Sequence, residues 1–326
     1  MDRRPGGRKA ELMPQPPRIA VLIPCHNEEV AIQQVVAGFR AALPDAVIYV
    51  YDNNSTDRTK EVAAAAGAVV RTERLQGKGN VVRRMFADIE ADAYLLVDGD
   101  GTYDPADAPA MVRMLFDDRL DMVNGVRVTE AEAAYRPGHR LGNRVLTGMV
   151  RFAFGDHITD MLSGYRCFSR RFVKSFPALA RGFETETEFT VHALELRLPV
   201  GEIRTAYCER PEGSESKLRT YRDGFRILYT IVTLLKRERP LAFFGSFSLL
   251  FLLLFLSFFI PVLEGYLATG LVPRLPTFVA SVANLFLSAL SLSCGLILDT
   301  VTQGRREAKR VAYLAMPAPR WPGASD

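Results

Sequence analysis

Short apolar runs and helical patterns alternate along the first part of the chain. RIAVLIP, Arg18 to Pro24, reads as a buried strand and leads through CHNEE into a helical pattern from Val30 to Leu43. A second strand, Ala46 to Asp52, precedes NNSTD and an alanine-rich helix, and a third, Ala68 to Arg71, precedes GKGN and another helix. A fourth ends at Asp98 after the apolar Leu95, Leu96 and Val97. Asp104 to Phe116 is helical, Asp121 to Arg127 makes a fifth strand, and Val200 to Cys208 a further one. This alternation calls for an α/β domain with a mostly parallel sheet and right-handed crossovers.

Other stretches have the helical period. In YRPGHRLGNRVLTGMVRFAFG, Arg136, Arg140, Arg144 and Arg151 ride on a helix whose other side is Val145, Leu146, Met149 and Phe152. That pattern suits either a solvated basic face over a core stripe or contact with anionic lipid. Leu218 to Leu235 repeats apolar residues at helical spacing with Arg219, Arg222 and Arg226 elsewhere. It has the look of a helix lying along a membrane surface, and a helix packed on a soluble domain would look the same.

Leu241 to Leu263 and Leu275 to Leu298 carry no charge, and each exceeds the roughly 20 residues needed to cross a bilayer. Lys236, Arg237 and Arg239 precede the first, and Arg305, Arg306, Lys309 and Arg310 follow the second, whereas the loop between them holds Arg274 as its only cation. The bias of positive residues toward the cytoplasm predicts both ends inside and a short external loop. Small residues in the second span (Ala280, Ser281, Ala283, Ser288, Ala289, Ser291, Gly295) suit either self-association or ordinary span composition.

Polar clusters follow the strands, where ligands bind in open α/β sheets. In YLLVDGDGTYD, Asp98 and Asp100 stand one residue apart, with Gly99 and Gly101 letting the backbone turn. Such carboxylates suit Mg²⁺ or Mn²⁺ shared with substrate phosphates, or else they form an acidic turn. Pro24, Asn27 and Glu28, then Asp52, Asn54, Ser55 and Asp57, offer amides and acceptors for a base and ribose, with helix capping as the alternative for Ser55 and Asp57. Gly77, Lys78 and Gly79 open a helix, where N–H groups and an ammonium suit phosphate. ITDMLSGYRCFSR sets Asp160 beside Ser163, Gly164 and Arg166; FETETEF starts a helix whose glutamates favour its positive end; Arg210, Ser216 and Lys217 share a loop with Gly213.

Composition narrows the class. The 326 residues are 48% hydrophobic, enough for a sizeable core, and a net charge of +4 does not by itself argue for nucleic acid. Four cysteines lack CxxC spacing and four histidines make no ligand pattern with them, against a disulfide framework or zinc site. The first strand lacks GxGxxG and GKG lacks Walker spacing, which removes dinucleotide-binding dehydrogenases and P-loop ATPases. The basic, proline-rich start has no apolar signal-peptide core, so the first domain is expected in the cytosol.

Six motifs in order, Pro24-Cys-His-Asn27-Glu28, Tyr51 to Asp57, Gly77-Lys-Gly79, Val97 to Thr102, Thr159 to Arg166 and Gly213 to Lys217, resemble those of family-2 inverting glycosyltransferases of the GT-A fold. With the two spans, the likeness is to polyprenyl-phosphate glycosyltransferases, the group of dolichyl-phosphate mannose synthase. It implies transfer of a hexosyl group, with inversion, from a nucleotide sugar to polyprenyl (undecaprenyl or dolichyl) phosphate. A uridine donor with glucose or an N-acetylhexosamine is the expected one, with GDP-mannose as the alternative. Pro24, Asn27, Glu28, Asp52, Asn54, Lys78, Asp98 and Arg127 would hold the nucleotide sugar, and Asp98 and Asp100 the Mg²⁺ or Mn²⁺. Arg140, Arg166, Arg210, Ser216 and Lys217 would meet the diphosphate or acceptor phosphate.

Asp160 and Asp100 are the expected catalytic acids. Asp160 is read as orienting an arginine or steering the acceptor, because a phosphate monoester with a second pKa of about 6 hardly needs a base. Two positions depart from relatives: Thr102 where some have glutamine, and Cys25-His26 where many have Thr-Tyr. The expected layout is a flexible basic arm (1–17), a GT-A domain (18–213), a juxtamembrane amphipathic helix (214–239), a two-helix transmembrane domain (240–300) and a cytoplasmic tail (301–326). The expected setting is the inner or plasma membrane in cell-envelope glycan synthesis or protein glycosylation, with membrane lipids as partners and a dimer or tetramer among the expected states. Transfer to another lipid such as diacylglycerol, or a non-catalytic nucleotide-binding anchor, are the competing readings.

Overall fold

The computed structural model describes residues 16–128, 159–180, 182, 184–208, 232–233 and 236–321. Contacts divide these into two units, the first holding 16–128, 159–208 and 312–321, the second the two long C-terminal helices up to residue 311.

In the first unit, β1 (Ile19–Cys25), α1 (Ile32–Ala42), β2 (Val47–Asp52), α2 (Thr59–Ala65), β3 (Val69–Thr72), α3 (Lys78–Asp88) and β4 (Ala93–Leu96) follow the expected alternation. After a short 3₁₀ turn come α4 (Ala108–Asp117), β5 (Met122–Val128), β6 (Arg166–Ser169), α5 (Arg170–Ser175), α6 (Thr185–Leu196) and β7 (Val200–Ala206). The strands form one sheet in the order β3-β2-β1-β4-β6-β5-β7. β1 to β4 pair in parallel and β5 pairs in parallel with β7, while β6 lies antiparallel between β4 and β5.

β6 is the element that apolar periodicity does not reveal. Arg-Cys-Phe-Ser looks like the end of a polar loop, yet all four residues are buried. Cys167 joins the layer of Val21, Leu95 and Val123, while Phe168 stacks on Phe172 at 4.6 Å on the other face. A strand covered on both faces shows no alternation to read. Because β6 runs against its neighbours, its start lies at the edge where β1, β2, β4 and β5 end. Arg166 is registered with Leu96 and with Asn124. The segment from Thr159 to Tyr165 is thereby carried to the loops after the parallel strands.

At the opposite end of β5, Asp121 is fully buried and accepts from Ser169 Oγ at 2.7 Å, Arg171 Nη2 at 2.9 Å and Tyr313 Oη at 2.9 Å. A buried carboxylate needs such partners to offset its lost hydration. Trp321 packs on Phe116 at 4.7 Å and donates to Asp117. Tyr313 and Trp321, expected in a separate tail, therefore belong to the first unit.

The second unit contains α7 (Pro240–Thr269) and, as far as residue 311, α8 (Leu275–Leu314), both long and apolar enough to cross a membrane. Their surfaces are largely apolar and exposed, Leu253 and Phe286 among them. Ser281, Ser288, Gly295 and Thr302 recur every seventh residue on α8 and form its buried stripe. Ser288 Oγ donates to Ser248 O at 2.9 Å, a Cβ on Gly295 would touch Phe244 at 3.2 Å, and Thr302 Oγ1 donates to Arg237 O at 3.1 Å. A seven-residue repeat keeps one seam facing a partner, and small residues let the backbones close on it. Within the small-residue set, Ser288 and Gly295 thus serve the in-chain pairing.

Candidate active site

The loops after β1 and β2 are stitched together by the side chains of Asn27, Ser55, Asp57 and Thr59. Cys25 and Asp52, the last residues of the two strands, are in register. Asn27, in the left-handed region at φ 53°, takes the Thr56 N–H on its Oδ1 at 2.8 Å while its own N–H donates to Ser55 Oγ at 2.9 Å. Glu28 N donates to Thr59 Oγ1 at 2.9 Å, and Asp57 accepts from Glu29 N at 3.2 Å and Thr59 N at 3.0 Å at the start of α2. Ser55 and Asp57 thus tie the two loops together, with Asp57 taking the capping role.

Asp52, wholly buried, accepts from Ser55 N and lies 3.4 Å from Lys60 Nζ. Asn53 donates to Glu73 O and Leu75 O, each at 2.8 Å, and accepts from Gly77 N at 2.7 Å, which brings in the loop before α3. Asn54, expected at the nucleotide, directs its amide to Arg74 O at 2.9 Å and Gln76 Oε1 at 3.0 Å. Pro24 and Glu28 stay partly exposed on this edge and Asn27 is exposed.

The acidic motif sits next along the edge. Val97 extends β4 with a hydrogen bond to Leu22 O, and Asp98 follows with its side chain 31% exposed. Gly99 passes so close to Cys25 that an added Cβ would stand 2.5 Å from Sγ. Burial, reinforced by the charges of Glu28, Asp52, Asp98 and Asp100, pushes the Cys25 thiol well above the ordinary thiol range, so it is a packing group and not a nucleophile. Gly101 has φ 74°, a conformation suited to glycine. Asp100 is buried and accepts from Thr102 Oγ1 at 2.7 Å and Thr102 N at 3.2 Å. The residue standing where some relatives have glutamine thus orients an acid. On the other side, Gly164 lies against Asp98, where any Cβ would overlap Oδ2, and its N–H donates to Tyr103 Oη at 2.8 Å.

Lys78, the second residue of the GKG turn, does not point to open solvent. Its ammonium lies between Asp98 Oδ1 and Glu186 Oε1, 2.5 Å from each, with the side chain 9% exposed. Burial disfavours the charge, yet the two carboxylates more than offset that and raise the lysine above its usual range.

Across β6 the site is built from charges. Arg127 grips Asp160 with both ends of its fork, Nε to Oδ2 at 2.7 Å and Nη2 to Oδ1 at 2.8 Å, and lies over the Tyr207 ring at 5.5 Å. Burial would raise the Asp160 carboxyl, and the Arg127 hydrogen bonds and charge outweigh it, holding the group below the ordinary carboxylate range. Asp160 is therefore an anion that positions an arginine. Thr159 donates through N and Oγ1 to the two oxygens of Glu202, at 2.9 and 2.7 Å, and Asn124 Nδ2 bridges Glu202 Oε1 and Asp160 O.

Arg166, expected to face a phosphate, is fully buried. It donates to Ser163 O at 3.0 Å, Met161 O at 2.7 Å and Thr190 Oγ1 at 3.0 Å. Burial pulls it down to about 10, which leaves it cationic at neutral pH. The correction is physical: the guanidinium is consumed in bracing the loop from beneath. Arg140, Arg210, Ser216 and Lys217, the other expected acceptor contacts, lie outside the described residues, as do most of the amphipathic stretches.

Glu202 is not singled out in the sequence, and Glu186 reads only as one of the FETETEF glutamates favouring a helix start. The signal for Glu202 was an acid inside a strand pattern, whereas Glu186, one of two acids in the first turn of its helix, carried no signal beyond the helix dipole.

The acids fit a hard divalent ion. Among the described residues no group of three or more His, Cys, Asp or Glu side chains converges on a metal position, so protein would supply Asp98 and Asp100. One or two carboxylates completed by substrate phosphate oxygens and water is the usual arrangement for Mg²⁺.

This architecture, with a mostly parallel sheet and acids at its edge, is the GT-A fold. Glucosyl-3-phosphoglycerate synthase from Mycobacterium tuberculosis, solved with Mn²⁺, UDP and glucosyl-3-phosphoglycerate, superposes with a TM-score of 0.56 at 24% identity over 68% of this chain and 79% of that one. Residues 20–176 match Glycosyl transferase family 2. Glycosyltransferase AglJ of Haloferax volcanii is 36% identical over 72% of this chain and 77% of its own length. A dolichyl-phosphate hexose transferase of the same organism is 26% identical over 68% of this chain and 95% of its own. The chain belongs to glycosyltransferase family 2, and it is a glycosyltransferase whose relatives act in glycan biosynthesis.

Proposed function

We propose that this enzyme transfers a hexosyl group from a nucleotide sugar, with UDP the favoured leaving group, to a polyprenyl phosphate, with inversion, at the cytoplasmic face of a membrane. The observation that carries the reading is the pairing of Asp98 and Asp100 at the edge of β4 with the Arg127–Asp160 pair at the end of β5, an acidic seat beside an oriented cation. A divalent ion held by Asp98 and Asp100 would neutralise the departing nucleotide diphosphate. The loops bearing Pro24, Asn27, Glu28, Asp52 and Asn54 would take the nucleotide.

Arg127, kept in place by Asp160, would draw the acceptor phosphate toward the anomeric carbon. That acceptor is mostly dianionic at neutral pH, its second pKa being about 6, so positioning and charge outweigh proton removal. The lipid nature of the acceptor draws support from two apolar helices, from the cations flanking them and from the named activity of the dolichyl-phosphate relative. Arg140, Arg210, Ser216 and Lys217 complete the proposed acceptor side.

Purified full-length protein in vesicles with undecaprenyl phosphate and Mg²⁺ or Mn²⁺ tests the reading. A small panel of radiolabelled nucleotide sugars should label a lipid that releases sugar in mild acid, and chelation should stop it. Absence of labelling from every donor would refute the activity, and a product carrying sugar on diacylglycerol would refute the acceptor.

A further inference from the structure

Lys78 is an unusual neighbour for a metal ligand. Its ammonium touches the same Asp98 carboxylate that the ion would use, through Oδ1, while the other oxygen of Asp98 is pressed against Gly164. The lysine is held there from behind by Glu186, on the first turn of α6. That grip is fixed by backbone packing, since a Cβ on Gly79 would overlap Ala180 O and Thr185 Oγ1, locking the start of α3 against the start of α6. Glu186 Oε2 is buried and has no hydrogen-bond partner among the described residues, so the only cation in direct contact with the carboxylate there is Lys78, while the buried Arg166 feels its charge from farther off. Two carboxylates around one ammonium leave a single net negative charge at the rim of the acidic motif.

We infer that Lys78 is a resident competitor for the divalent ion and that Glu186 is the residue that positions it. Asp98 would be fully available to an ion only once the Lys78 ammonium gives up Oδ1, and Glu186 would keep the released lysine at the site instead of letting it swing into solvent. The inference rests on reading Asp98 and Asp100 as the metal seat. It adds that the affinity of the seat is set from outside it, by a lysine and a glutamate far apart in the sequence.

The test separates competition from simple charge. Manganese(II) alone is titrated into purified full-length protein, with free ion read by electron paramagnetic resonance. Lys78→Met removes the competitor and leaves two unneutralised carboxylates, so manganese should bind at least about tenfold tighter than in wild type, a modest demand on a charge interaction at this range. Glu186→Gln leaves the lysine on Asp98 alone and should bind several-fold more weakly. The double variant has the wild-type net charge without the competitor and should bind tighter than wild type.

A double variant that binds like wild type reduces the effect to charge and overturns the inference, as does a Lys78→Met protein with unchanged or weaker binding. Lipid labelling distinguishes this from failure of the proposed function: wild type that labels lipid only with metal, while Lys78→Met binds no tighter, sinks the competitor alone. Wild type that binds no manganese sinks both.

Discussion

The two sides of the acidic motif are held by different forces. On the β1–β2–β3 side, loops are tied mainly by neutral bonds from Asn27, Ser55, Asn53 and Asn54, with the Asp57 carboxylate and the Asp52–Lys60 pair beside them. On the β5–β6–β7 side, the loop from Thr159 to Tyr165 is held by Arg127 with Asp160, by the buried Arg166 and by Glu202. A neutral hydrogen bond contributes about 1 kcal/mol net, so the first side loses stability in small steps. A buried charge that loses its partner costs several times more, so the second side is set as a unit or not at all. The side proposed for the nucleotide can thus vary residue by residue, while the side proposed for the phosphate acceptor is fixed by a few interdependent ions.

The largest effect is expected where the sides meet. Asp100→Ala should cut lipid labelling by about a thousandfold or more, with the folding transition close to wild type, as loss of a main electrostatic stabiliser does. Gly164→Ala sharpens the comparison. Its Cβ would push Asp98 aside from the charged side, and a displacement near 1 Å costs about a hundredfold in rate. Weakened manganese binding should accompany the loss, and wild-type activity in this variant would contradict the close packing.

Two stability measurements then compare the sides directly. Arg166→Met strips hydrogen bonds from Ser163 O, Met161 O and Thr190, and should lower unfolding free energy by about 2–4 kcal/mol in denaturant titration. Asn53→Ala breaks three neutral bonds at once, each worth about 1 kcal/mol, and should cost no more than Arg166→Met while raising KM for the nucleotide sugar more than it lowers kcat.

The smallest effect lies in pH. The folded Asp160 carboxyl is held below its ordinary value, so its stabilising contribution is complete above the unfolded value and disappears as pH falls through the folded one. The stability difference between wild type and Asp160→Asn should stay constant from pH 8 to about 5 and shrink only below about 4. Shrinkage near pH 6 would mean that Asp160 is not paired as described.

Much of this was legible in the chain. Apolar runs ending in Pro24, Asp52 and Val97 announced β1, β2 and β4, and two uncharged stretches announced α7 and α8, because burial against a sheet or in lipid demands continuous apolar surface. β6 was not legible, since four residues covered on both faces carry no period. Arg166 was misplaced for a related reason: an arginine beside Ser-Gly in a polar stretch looks solvent-facing until α6 is seen to cover it. The role of Glu186 was hidden as well, because an acid in a first helical turn satisfies the helix dipole without calling for a distant lysine.

The sequence by itself determined the family, the alternating domain, the acids at a strand's end and the apolar helices, all properties written in local runs of residue type. Tertiary structure alone decided that Lys78 stands between Asp98 and Glu186, that Asp160 spends both oxygens on Arg127, and that Arg166 supports the loop from within. Those are choices of partner for buried charges. They depend on which side chains the sheet order brings within about 3 Å, a distance that the spacing of residues along the chain does not encode.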